Sequence, residues 1–143
     1  TTEMLSKHCS SVVSLEPFVP LYEYNARRFG SFDNVSIVNK SSEEGFAEIL
    51  EVIEGPTSFW LDGHYSGDGT HGKLANASPI VRELESIAMW VHKTNSPVYV
   101  AIDDARLFTG EDGYPDEVFI REFAVDHRMI FFRFRDIFFI KKA

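Results

Sequence analysis

The run Pro97-Val98-Tyr99-Val100-Ala101-Ile102 carries no charged side chain at either set of alternating positions. A strand wetted on one face alternates apolar with polar residues. A run without that alternation predicts a strand covered on both faces, as in parallel sheets whose crossover helices pack above and below. The run closes on Asp103-Asp104, and a second apolar run, Thr57-Ser58-Phe59-Trp60-Leu61, closes on Asp62. Open α/β sheets build their sites outside the carboxyl ends of parallel strands, so these three acids set the functional question. Taken singly, each Asp also suits the start of a loop or a helix cap. Together, three like charges at two strand ends are costly unless a cation or a proton offsets them. A divalent metal is a natural compensator, Mg²⁺ in particular, since it takes one or two carboxylates and keeps several waters for a substrate to replace.

Helices and strands alternate around these runs. Residues 2–9 read as a helix end with Met4, Leu5 and His8 at helical spacing, followed by a short strand over 11–15 that Glu16-Pro17 stops. A helix over 19–29 carries Tyr22, Asn25, Ala26 and Phe29 on one side and ends at Gly30. Residues 35–38 form a mostly β-branched strand. Ser41 and Glu44 then have capping-box spacing ahead of the apolar stripe Phe46, Ile49, Leu50 and Ile53, which ends near Gly55-Pro56. After the strand over 57–61, a glycine-rich loop over 63–77 leads to Ser78-Pro79, an N-cap with proline at the first helical position. The helix it opens has Ile80, Val81, Leu84, Ile87, Ala88 and Val91 on one face. A second glycine-containing loop runs to Tyr114, and 115–124 is a short helix. Residues 129–134 and 137–140 flank Arg135-Asp136 as an antiparallel hairpin. The expected fold class is therefore α/β, a Rossmann-like doubly wound, mostly parallel sheet with a C-terminal antiparallel hairpin, in one domain over 1–143.

Composition supports this reading and narrows the function. A chain of 143 residues, 44% hydrophobic and 14% aromatic, can fill one core. The net charge of −8, from 14 Lys and Arg against 22 Asp and Glu, argues against a general nucleic-acid binder, whose phosphate contacts need a basic face. No apolar stretch approaches the roughly 20 residues of a membrane span, and no charged-then-apolar signal opens the chain, so no membrane partner and a cytoplasmic location are expected. Cys9, the one cysteine, cannot form an internal disulfide and is expected to be a small buried residue.

The segments Leu15-Glu16-Pro17, Asn39-Lys40-Ser41-Ser42, Phe59-Trp60-Leu61-Asp62-Gly63-His64-Tyr65-Ser66-Gly67 and Ile102-Asp103-Asp104-Ala105-Arg106 resemble successive strand-end motifs of a class I S-adenosylmethionine-dependent methyltransferase. The resemblance covers nearly the whole chain, and the Leu-Asp-Gly-His-Tyr-Ser-Gly block points to a bacterial branch. It implies that Glu16 accepts hydrogen bonds from the ribose hydroxyls of the cofactor, as an acid at that strand end reads a diol in dinucleotide folds. It also places Ser41 and Ser42 near the adenine. From the residues alone, Glu16 is an acid before a proline turn and the serines cap the following helix; a cap and an adenine contact are not exclusive.

Asp62 with Asp103 and Asp104 is also similar to the metal-dependent O-methyltransferases, including those acting on sugar hydroxyls. There an acid after the fourth strand and a pair after the fifth hold a divalent cation beside the methyl donor. Methyl transfer is an in-line displacement, so alignment is most of what the protein supplies. The acceptor hydroxyl must also lose a proton, which a bound metal makes easier. Asp62 and His64 are the candidate catalytic residues, His64 as general base because imidazole titrates in the right range. In the sugar-modifying relatives the position of His64 is usually an acid, and this chain departs from them there.

Other features read more plainly. His71 lies in a Gly67–Gly72 stretch that lacks the P-loop ending and reads as a lid. Arg106 is either an anion binder or a partner of the neighbouring acids. Phe131, Phe132, Phe134, Phe138 and Phe139 read as sheet core or a packing surface. Family members begin with a strand and a glycine-rich turn that cradles the methionine portion of the cofactor, and this chain begins just after where that turn should stand. The expectation is thus a sheet truncated at its N-terminal side, its missing strand central between the strands containing Val12 and Phe59, with two edges exposed. The chain is then an excerpt of a longer one, or those two strands pair directly, or a second copy covers the gap as a homodimer. Three functions follow: a methyltransferase acting on a small molecule or sugar acceptor; a cofactor-free binding or dimerisation module on a truncated methyltransferase scaffold; and a metal-dependent hydrolase using Asp62 and His64, for which a second His-rich ligand cluster is missing.

Overall fold

Local signals fix most element ends. A computed structural model of the chain describes residues 1–62, 78–111 and 113–142. The chain runs α1 (Thr2–Ser6), β1 (Val12–Leu15), α2 (Val19–Phe29), β2 (Val35–Val38), α3 (Ser42–Val52), β3 (Thr57–Leu61), α4 (Ile80–Thr94), β4 (Val98–Ile102), a 3₁₀ turn (Ala105–Leu107), α5 (Glu117–Asp126), β5 (Ile130–Phe134) and β6 (Ile137–Lys142). Ser41 and Glu44 form the expected capping box, the Glu44 carboxylate accepting from the Ser41 backbone N–H at 3.2 Å. Helix α4 starts one residue later than its proline predicts, and Ser78 Oγ accepts from the Ile80 N–H at 3.4 Å. Helix α5 also starts late, at Glu117, because Asp116 takes the cap and accepts from the Phe119 N–H at 2.8 Å. Gly30 ends α2 in ordinary right-handed geometry, so its special backbone freedom is not what stops that helix. Among the described residues no helix is long and apolar enough to cross a membrane.

The strands form two sheets. β1 and β2 pair in parallel, Val12 opposite Val35 and Leu15 opposite Val38. The second sheet has the order β3-β4-β6-β5. In it β3 and β4 are parallel, β6 is antiparallel to β4, and β5 closes the hairpin on β6, so the last strand of the chain inserts between β4 and β5. The molecule is α/β with parallel strands and a C-terminal antiparallel hairpin, but its parallel strands do not join into one sheet. Register gives the reason. The Val12 N–H donates to the Asn34 carbonyl at 2.8 Å and the Glu16 N–H to the Val38 carbonyl at 2.9 Å, which turns the backbone groups of Val13 and Leu15 to the other edge of β1. The Thr57 N–H donates to the Pro97 carbonyl at 3.1 Å and the Leu61 carbonyl accepts from Asp103 at 3.0 Å, which turns those of Ser58 and Trp60 to the other edge of β3. No described strand pairs with either of these edges.

One face of the four-stranded sheet carries the core. Phe59 and Leu61 of β3, Val98, Val100 and Ile102 of β4, and Phe138 and Ile140 of β6 pack with Leu84, Ile87 and Val91 of α4 and Ile120 and Ala124 of α5. Ring contacts knit it: Phe59 meets Phe46 at 5.7 Å and Trp90 edge-on at 5.9 Å, and Phe138 meets Phe108 at 5.2 Å. The opposite face departs from the expectation of strands covered on both sides. Trp60, Tyr99 and Phe132 are each 38% exposed, and Ile130 and Phe134 each 60%. The phenylalanine stripe is divided accordingly: Phe138 and Phe131 belong to the core, Phe132 and Phe134 face outward, and Phe139 is half-buried. Cys9 is likewise half-buried rather than buried.

Candidate functional site

The register of β3 on β4 sets Leu61 opposite Ile102, so Asp62 and Asp103 leave adjacent parallel strands at the same end. The acids expected to converge there are thus neighbours in the fold, and their local geometry then separates them. Asp103 is half-buried and its carboxylate accepts from the Asp104 N–H at 2.9 Å. Asp104 sits in the left-handed region, φ 56°, which Asp tolerates better than most residues, and caps the 3₁₀ turn. Its carboxylate accepts from Arg106 at 2.5 Å. The same guanidinium bonds the side chain of Asp136 in the β5–β6 turn, whose carboxylate also takes the Arg106 backbone N–H at 2.8 Å. Hydrogen bonds to Asp136 and Asp104 raise the Arg106 pKa further, so this cation is fixed in place beside the acid pair. Of the two readings of Arg106, the structure places it with the acids.

Two residues that sequence reasoning passed over complete this end. Asp103, Glu83 and Tyr114 line a narrow cleft with Leu61, Ser78, Pro79, Ile80, Ile102 and Phe108. Burial pushes the Tyr114 hydroxyl up, and the charges of Asp104 and Asp62 push it further, so that hydroxyl stands in the field of both acids. Glu83 is only 6% exposed. Burial drives its pKa up to about 7, the Ser42 side chain pulls it back in part, and the Glu43 charge adds to the rise. Its signal was in the sequence: Glu83 is an acid on the Ile80, Leu84, Ile87 stripe that faces the core. Tyr114 carries no comparable signal, because it belongs to a loop whose course no periodicity gives.

The residues expected to meet a cofactor lie on the β1–β2 side. Glu16 follows β1, half-buried, and Oε1 accepts from the Phe18 N–H at 3.0 Å, holding the turn into α2. Its backbone carbonyl accepts from Asn39 at 2.9 Å, which ties the ends of β1 and β2 together. Ser41 caps α3, and Ser42, in the first turn, pulls the Glu83 pKa down in part. His64 and His71, with the rest of the glycine-rich loop, lie outside the described residues.

The described acids do not form a metal site. Among the described residues no group of three or more His, Cys, Asp or Glu side chains is arranged to hold an ion. Arg106 supplies a positive charge to Asp104, which it shares with Asp136. The described cleft has room for about 10 Å³, the space of a single water. A more open cavity of about 440 Å³ lies elsewhere, between α1 and the end of α2, where Arg28 bonds Glu3 at 2.6 Å. No family model matches the chain, and no curated protein matches it either.

Proposed function

We propose that the chain is a Rossmann-like, S-adenosylmethionine-dependent methyltransferase domain whose acceptor is a small-molecule or sugar hydroxyl. The observation that carries this reading is the break in the sheet. The parallel strands fall into two pairs, β1 with β2 and β3 with β4, with the acids Glu16, Asp62 and Asp103 following β1, β3 and β4, and the family order would set a central strand between the two pairs. On this reading Glu16 bonds the ribose diol through Oε2, since Oε1 is committed to the turn. Ser41 and Ser42 border the adenine from the start of α3. Asp62, exposed at the end of β3, takes the acceptor proton as the methyl group leaves its sulfonium sulfur for the acceptor oxygen. No step passes through a metal, because the described acids do not form a site for one.

The test is isothermal titration of S-adenosylmethionine into the purified chain with and without Mg²⁺. The expected result is binding in the micromolar range, the same in both buffers, and weakened roughly tenfold or more in Glu16→Ala by loss of a charged hydrogen bond. Binding only with Mg²⁺ would restore the metal-assisted form of the reading. No heat in either buffer, with an unchanged melting temperature, would remove cofactor binding. The remaining reading is then a cofactor-free binding module, which the small cleft and the bare sheet face favour.

A further inference from the structure

Two histidines far apart in sequence meet where two helices end. His92 lies in the last turn of α4 and His127 caps the C-terminus of α5, and His92 Nε2 faces His127 Nδ1 at 3.1 Å. The way each helix stops fixes their backbones. Asn95, φ 52°, closes α4 by donating its N–H to the Val91 carbonyl at 2.8 Å. Arg128, φ 57°, follows His127 and donates to the Val125 carbonyl at 3.0 Å. The His127 N–H donates to the Phe123 carbonyl at 3.1 Å, and its ring lies against the Phe123 ring with centroids 4.4 Å apart. His127 is half-buried and His92 exposed, so the pair has a solvent side.

As a hydrogen bond, the contact has one ring nitrogen carrying a hydrogen and the other accepting it. The same separation suits a second use. Two imidazole nitrogens that each stand about 2.0–2.1 Å from one ion, and 3.1 Å from each other, subtend about 100° at it, between octahedral and tetrahedral coordination. The hydrogen then moves to the far nitrogen of its own ring, a change of tautomer with no net proton gained or lost. The C-terminal ends of α4 and α5 come together at this place, and the partial negative charge of each favours a cation there. Imidazole suits Zn²⁺, Cu²⁺ and Ni²⁺, whereas a hard ion such as Mg²⁺ takes oxygen ligands.

We propose that His92 and His127 form a two-histidine chelate for a first-row transition-metal dication of the Zn²⁺ class, with water in its other positions, and that the bound ion ties the end of α4 to the end of α5. Both helices pack on the core face of the four-stranded sheet, so the tie acts on the stability of the fold. The site uses none of the residues assigned to cofactor or acceptor and stands apart from that reading.

The experiment titrates ZnCl₂ into the full chain in chelator-free buffer at about pH 7.5, where imidazole is mostly neutral, and follows heat and melting temperature. One ion per chain is expected, held in the micromolar range, with a melting temperature raised by a few degrees at saturation; MgCl₂ should do neither. His92→Gln and His127→Gln should each weaken zinc binding roughly tenfold or more, and the double variant should be no weaker than either, because a chelate needs both rings. His92 is exposed, so His92→Gln keeps the fold, and an unchanged melting temperature without zinc confirms it. His8→Gln, on α1's side of the molecule, should bind zinc as the parent does. No zinc binding, or affinity unchanged in both histidine variants, would overturn the proposal. Losses that add in the double variant would show two separate surface histidines and overturn it as well. Zinc that binds without raising the melting temperature would hold the unfolded chain equally and remove the tie between the helices.

Discussion

The two faces of the β3-β4-β6-β5 sheet are made by the same four strands from residues of similar apolarity, yet they end in different surroundings. On one, Phe138, Ile140 and Ile102 are within 1% of full burial under α4 and α5. On the other, Trp60 of β3 and Tyr99 of β4 are 38% exposed, and Phe134 and Ile130 of the edge strand β5 are 60% exposed. Strand composition therefore records that both faces ought to be covered, while coverage itself depends on the segments that cross over them. Helices α4 and α5 follow β3 and the β4 loop and supply one layer. The opposite layer has no contributor among the described elements. The open edges of β1 and β3 belong to the same deficit, since a parallel strand and the helix that connects it to its neighbour come as a unit.

The covered face should give the largest effect. Phe138→Ala removes a fully buried ring in contact with Phe108 and Phe131, and a loss of about 3–5 kcal/mol is expected from urea unfolding. A loss under about 1 kcal/mol would mean that the two faces are packed alike and would break the comparison.

Next comes Glu83, the charged residue pressed under that covered face. Its pKa is about 7 in the folded chain against an ordinary 4.5. Between those values the native state holds more protons than the unfolded chain, so stability falls as pH rises from about 4.5 to about 7 and stays level above. Above pH 7 the buried carboxylate also faces Glu43 and shares its cleft with Asp103 and Tyr114, while Arg82 lies 3.9 Å from Glu43. Glu83→Gln should remove this fall and exceed the parent in stability at pH 8 by up to about 3 kcal/mol. Melting curves at pH 5 and pH 8 test it; parallel pH profiles for the two proteins would show that Glu83 is solvated and the cleft open.

How far the sequence could be read follows the range of the interactions involved. Most helix and strand positions came out within a residue or two because caps, prolines and apolar periods act locally, as at Ser41, Asp116 and the Arg135-Asp136 turn, while α1 and α3 end about three residues short of the expected ends at 9 and 55. The convergence of Asp62 with Asp103 was legible, because both acids directly follow apolar runs that pair in parallel. What Asp104 does there was half legible: Arg106 was visible two residues away, but Asp136, 32 residues on, is brought in by the hairpin. Joining the parallel strands into one sheet was beyond local signals. Val13, Leu15, Ser58 and Trp60 carry nothing that says which edge they will present or whether a strand will meet it.

The smallest effect is expected on the bare face. Phe134→Ser replaces a ring that touches the neighbouring Arg135 and lies across from Ile137, with most of its surface already in water. Little burial is lost, so stability should change by no more than about 0.5 kcal/mol. Urea unfolding reads the change. A cost above about 2 kcal/mol would mean that the ring is buried in the folded chain and that some part of this polypeptide already lies over it. The contrast between the two faces would then vanish.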